Sequence, residues 1–165
     1  MTTPIATCLW FDGQAEEAAQ FYISALGEGS IDSITPYPQD SPFPSPFPGG
    51  YPMLVEFTLM GQRFQGLNGG PMFPFTEAVS ISVTCKDQSE LDRRYDALTA
   101  DGGAPGPCGW LKDRFGLSWQ LVPEELIALQ KSGNAAGITR MSAAMLQMQR
   151  LDIAALRAAF EGKVE

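Results

Sequence analysis

Between residues 78 and 85, apolar and small polar side chains alternate. Val79, Ile81 and Val83 form one set, and Ser80, Ser82 and Thr84 the other. A period of two predicts a strand with one buried face. Ile5–Phe11, Ser30–Tyr37, Met53–Leu59, Gln62–Asn68, Cys108–Lys112 and Leu117–Val122 read as further strands. Met60-Gly61 and Asp113–Gly116 join two pairs of them as hairpins. A period near 3.6 runs over Ala15–Leu26, where Ala18, Phe21, Tyr22 and Ala25 share a face, and over Gln88–Ala100, where Leu91, Tyr95 and Leu98 do. Gly27 and Gly29 stop the first helix, and Gly102-Gly103 the second. Pro123-Glu124-Glu125 opens a third helix that runs to about Lys131. Ile138–Gln149 and Asp152–Phe160 follow, with Asp152 as N-cap of the last.

The pattern repeats. An offset of 73 carries Thr7 to Ser80, Glu17 to Glu90, Tyr22 to Tyr95 and Gly29 to Gly102. After the proline-rich stretch the offset is 55, carrying Gly61 to Gly116, Phe64 to Trp119 and Gln65 to Gln120. The order strand, helix, strand, strand, strand thus occurs twice. The expected fold is α+β: paired βαβββ modules forming a curved mixed sheet with a concave cleft, plus C-terminal helices. The first module spans residues 1–70, the second 71–130 and the helical extension 131–165, all within one domain. Strand alternation turns Val79, Ile81 and Val83 toward the helices and Ser80, Ser82 and Thr84 toward the cleft. By the offset, Thr7, Leu9 and Phe11 also face the cleft, as do Arg63, Gln65 and Leu67 opposite Ser118, Gln120 and Val122. The same parity puts Cys8 on the helix side, away from a nucleophile's role.

Residues 36–52 hold seven of the 13 prolines. Prolines cannot donate to a ladder, so this is a long loop inserted in the first module. It is either a surface excursion or a lid or dimer arm carrying Phe43, Phe47 and Tyr51.

Composition then narrows the function. In 165 residues, 44% hydrophobic, a core is assured. Nineteen acidic against 11 basic side chains leave a net charge of −8, which argues against nucleic acid as a partner. Histidine is absent, which removes His-based acid–base chemistry and His-ligated metals. The three cysteines, Cys8, Cys85 and Cys108, form no CxxC pair and read as free thiols in a reducing cytoplasm. No apolar run has the length of a membrane span, and Met1–Cys8 lacks the charged start and apolar core of a signal peptide.

Several segments resemble the PhnB-like proteins of the glyoxalase/bleomycin-resistance/extradiol-dioxygenase, or vicinal oxygen chelate, superfamily. They are Cys8–Ala18 with Phe21-Tyr22, Gly61-Gln62, Leu67–Pro71, Glu77–Ser80 and, most specifically, Cys108–Gln120. The likeness spans roughly residues 4–130, and the C-terminal helices resemble the group's usual tail. Such proteins are often labelled 3-demethylubiquinone-9 3-methyltransferases, yet no glycine-rich cofactor loop follows the first strand here. In the wider superfamily, four inward side chains, mostly His and Glu, hold a divalent metal. The resemblance places them at Thr7, Gln65, Ser80 and Gln120. Two hydroxyls and two amides bring no charge to a desolvated dication, so no metal or other cofactor is expected.

The expected function is a metal-free cleft that binds a small organic molecule, through Thr7, Leu9, Phe11, Arg63, Gln65, Asn68, Ser80, Ser82, Ser118 and Gln120. Arg63, turned inward, suits a carboxylate or phosphate. Asn68 either caps a turn or touches the ligand. One alternative is an isomerase or lyase using a metal or Glu56, whose pKa would rise if it were buried without a partner. Another is a dimeric interaction protein without catalysis. Lys112, Asp113 and Arg114 read as a solvated hairpin tip or a charged rim over the cleft.

The tail carries a wide apolar stripe, Met141, Ala144, Met145, Met148, Leu151, Ile153, Leu156 and Phe160, which must pack on this chain or on a partner. Residues 138–165 hold four Lys or Arg and three Asp or Glu, a net of +1, and the rest of the chain carries −9. A homodimer is expected, through the tail or through the proline-rich loop.

Overall fold

The computed structural model describes residues 5–40, 42 and 44–163. Expectations about Phe43 and the first four residues lie outside it. Two compact units divide the chain, Met1–Phe75 and Thr76–Glu165.

In the first unit, β1 (Thr7–Phe11) is followed by α1 (Ala15–Leu26), β2 (Gly29–Pro36), β3 (Pro52–Leu59) and β4 (Gln62–Asn68). The sheet order is β1-β4-β3-β2, with β1 parallel to β4 and the other pairs antiparallel. α1 buries Ala15, Ala18, Ala19, Tyr22, Ala25 and Leu26 against one face. Small residues let it lie close. A Cβ at Gly66 of β4 would stand 3.0 Å from the Ala15 Cβ, so glycine permits the approach. Stacked Phe57 and Phe64, centroids 5.4 Å apart, fill the layer beneath the helix.

The second unit repeats the order: β5 (Ser80–Cys85), α2 (Gln88–Thr99), β6 (Ala104–Pro105), β7 (Trp110–Lys112) and β8 (Ser118–Pro123), with sheet order β5-β8-β7-β6. The α+β class and the paired βαβββ modules read from the sequence are therefore what the molecule has. β6 is only two residues long, too short for periodicity to show. α2 buries Leu91, Tyr95 and Leu98 over Trp119 and Leu121. Val79 precedes β5 and is 61% exposed, so the strand starts two residues later than the alternation suggests.

α3 (Glu124–Gln130), α4 (Ala135–Met145) and α5 (Ile153–Glu161) complete this unit. Asp152 caps α5, its carboxylate accepting from the Ala155 N–H. The tail packs in cis. Cys108 and Gly109 N–H groups donate to the Met148 and Gln149 carbonyls, both at 2.8 Å. Leu151 is buried beneath Gly109, where a Cβ would lie 2.9 Å from Leu151 Cγ. Gln88 of α2 donates to the Leu151 carbonyl and accepts from the Ile153 N–H. Arg150 covers the Tyr95 ring and pairs with Asp92 and Asp96, and Arg157 pairs with Glu125. The positive tail thus meets the acidic body. Of the apolar stripe, Met141, Leu151 and Leu156 are buried within this unit, and Ala144, Met145, Met148, Ile153 and Phe160 are half-buried.

The proline-rich loop also packs in cis. Tyr37 N–H donates to the Tyr51 carbonyl, extending the β2–β3 hairpin. Phe47 stacks on Tyr51, Tyr51 Oη donates to the Gly13 carbonyl, and Tyr37 Oη to the Asn68 carbonyl. Phe47 and Tyr51 therefore cover the β1–α1 turn of their own unit.

Candidate functional site

Strand register sorts the predicted residues. In the first unit, Thr7, Leu9 and Phe11 pair with Phe64, Gly66 and Asn68, the α1 side. Leu9 and Phe11 are 4% and 3% exposed. They belong to the core, a correction to the cleft assignment. The cause is a loop one residue longer. Three residues separate Phe11 from Ala15, but only two separate Cys85 from Gln88. An offset that fits the helices slips by one in the strands, and a one-residue slip exchanges the faces. Cys8 and Trp10 accordingly lie on the face opposite α1, a second correction. Cys8 is exposed, and partial burial pushes its thiol pKa up, away from a nucleophile's range.

That face carries a polar cluster. Glu56 accepts from Ser33 Oγ at 2.8 Å, from Arg63 Nη2 at 3.2 Å and from Gln65 Nε2 at 3.3 Å. The Ser33 hydroxyl, then Gln65, and Arg63 beside them hold its carboxyl below the ordinary range. The condition for a general base, burial without a partner, is not met. Arg63 does grip a carboxylate, that of Glu56. Asn68 is fully buried: its Oδ1 accepts from the Ala15 N–H and its Nδ2 donates to the Pro52 carbonyl. It caps α1 from a distant strand, a task that Gln14, at the N-cap position, does not perform.

In the second unit, Ser80, Ser82 and Thr84 share the face opposite α2 with Ser118, Gln120 and Val122, as expected. Gln120 Nε2 donates to Ser80 Oγ at 2.8 Å. Across the hairpin, Trp110 pairs with Gln120 and Lys112 with Ser118. Beside them opens a cavity of about 550 Å³, lined by Pro105, Pro107, Trp110, Lys112, Ser118 and Glu77 among others. Lys112 Nζ lies 2.5 Å from Glu77 Oε1 at its rim. Ser118 is 1% exposed, and its hydroxyl has no hydrogen-bond partner among the described residues. Sequence reasoning kept Lys112 with the hairpin tip and left Glu77 and Trp110 out of the site. The alternation Trp110-Leu111-Lys112 was the available signal.

The tip itself differs from expectation. Asp113 is 3% exposed. Its Oδ1 accepts from the Phe115 and Leu117 N–H groups and its Oδ2 from the Trp119 indole, at 2.8, 3.1 and 2.8 Å. It is an internal staple for the β7–β8 turn, not a solvated charge.

The family described as 3-demethylubiquinone-9 3-methyltransferase matches residues 3–122. The chain belongs to this PhnB-like family, with a glyoxalase-like fold. It is similar to the solved structure of a Bacillus cereus PhnB protein described as a putative 3-demethylubiquinone-9 3-methyltransferase: 35% identity, 73% of this chain and 99% of that one, TM-score 0.62. A Pseudomonas aeruginosa protein is similar at 25% identity over 74% of this chain and 98% of that one, TM-score 0.60. No curated protein sequence matches.

The superfamily's metal does not fit the residues present. Among the described residues, no group of three or more His, Cys, Asp or Glu converges on a point. Gln65 and Gln120 offer a cation only neutral amide oxygens, while their N–H groups donate to Glu56 and Ser80. The Arg63 cation beside Glu56 repels a second cation. At the β1–α1 turn, where a strand–turn–helix motif would hold a dinucleotide, Phe47 and Tyr51 pack against Gly13. A Cβ at Gly13 would lie 3.1 Å from the Phe47 ring. Among the described residues, no helix is long and apolar enough to cross a membrane.

Proposed function

We propose that the protein binds a small organic molecule, without a metal, in the cavity on the face of the second sheet opposite α2. The cavity is the observation that carries this reading. At about 550 Å³ it falls within the range of ligand pockets, roughly 300–1,000 Å³. Its wall is mostly apolar, with Pro105, Pro107 and Trp110, and few polar groups punctuate it. That mixture suits an uncharged or weakly polar ligand. Binding rather than turnover is proposed because Glu56, the carboxylate weighed as a base, does not line the cavity, and its three donors lower its basicity.

A thermal-shift screen of metabolites tests it, with Ala104→Phe as the control. Ala104 lines the cavity and is exposed, so a ring there fills space without disturbing the core. Hits should raise the melting temperature of the wild type, as any ligand of the native state does, and leave the variant unmoved. Equal stabilisation of both would place the site elsewhere.

A further inference from the structure

Resting on that reading, we infer the ligand's class: an uncharged ring compound bearing a carbonyl oxygen that accepts from Ser118 Oγ and Lys112 Nζ. Lys112 and Ser118 are directly paired across β7 and β8 and share one face. Paired residues have Cβ atoms about 4.5–5.5 Å apart, and both side chains line the cavity. The Ser118 hydroxyl is buried in the cavity wall with no partner among the described residues. An orphaned buried hydroxyl is costly unless a ligand completes it. The Lys112 ammonium has three protons, and Glu77 takes one.

Charge selects between a neutral carbonyl and an acid. Glu77 already neutralises Lys112, and the Lys112 ammonium holds the Glu77 carboxyl below its ordinary range. A ligand carboxylate would add an uncompensated negative charge beside Glu77. A carbonyl leaves the ion pair intact. The apolar remainder of the wall, with Pro105, Pro107 and Trp110, suits a ring.

The test uses three probes of one ring size: acetophenone, benzoate and toluene, titrated into the full chain with backbone amide NMR as readout. Acetophenone should bind about five- to tenfold more tightly than toluene, the effect of a hydrogen bond, and benzoate should bind most weakly. Ser118→Ala should erase the advantage of acetophenone and leave toluene unchanged. Lys112→Met, on a more exposed side chain, should reduce the same advantage. Tightest binding by benzoate, equal binding by toluene and acetophenone, or an advantage that survives both substitutions would each overturn the inference while leaving the cavity as a binding site. If none of the probes moves the amides of Trp110, Lys112 and Ser118, and Ala104→Phe leaves every screen hit's effect intact, the binding site itself falls, and this inference with it.

Discussion

Asp113 shows how far a residue's role depends on what the chain brings to it. In the sequence it sits between Lys112 and Arg114 and reads as solvated charge. In the fold it accepts three hydrogen bonds while almost wholly buried. No periodicity marks such a staple, because its partners are backbone groups of the turn and an indole six residues away. Asp113→Ala would strand the Trp119 N–H and two turn amides, and should cost roughly 3 kcal/mol in urea unfolding, more than Asp113→Asn. A loss below about 1 kcal/mol would contradict the staple. Asn68 was legible as one of two alternatives, cap or ligand contact, and burial decides for the cap. Glu56 was legible as a candidate base. Its neighbours Ser33 and Arg63 come from other strands, and only the register shows that they hold it ionised.

Among the elements, helices α1 and α2 and strand β4 were legible nearly to the residue, since amphipathic periodicity and glycine stops mark them. Strand β1 was legible as a strand but not in its facing, for its loop to α1 is one residue longer than its counterpart. β6 was invisible because two residues have no period. The tail helices were legible as helices, although α4 starts three residues earlier and ends four residues earlier than the sequence suggests, and their docking was not legible. Amphipathicity says that a face is buried and is silent about what covers it. The structure supplies the cover, with Leu151 beneath Gly109 and the tail arginines on Asp92, Asp96 and Glu125. Leu151→Ala should therefore destabilise the second unit by about 3 kcal/mol, read by hydrogen exchange of α2 and β8; unchanged protection there would contradict docking in cis. The Arg157 hydrogen bond holds the Glu125 carboxyl below its ordinary value. A depressed carboxyl contributes stability that is fully present above its unfolded pKa and is lost as pH falls through the folded one. Between about pH 5 and pH 3 the wild type should lose more stability than Glu125→Gln, measured by thermal melts across that range; parallel losses would show that the pair is solvent-screened to no effect.

For the whole molecule, the repeat was the most informative feature of the sequence, because two βαβββ units follow from order alone. The cavity was not legible, because it forms where the short β6–β7 connection, the Glu77 segment and β8 meet. The central claim concerns that cavity as a metal-free binding site. The most direct measurement is an NMR map of the strongest hit from the screen, recorded on the full chain with and without EDTA. Shifts should centre on Trp110, Lys112 and Ser118 and be the same with the chelator present. Shifts that vanish with EDTA, or that centre on the Glu56–Arg63–Gln65 cluster instead, would contradict it.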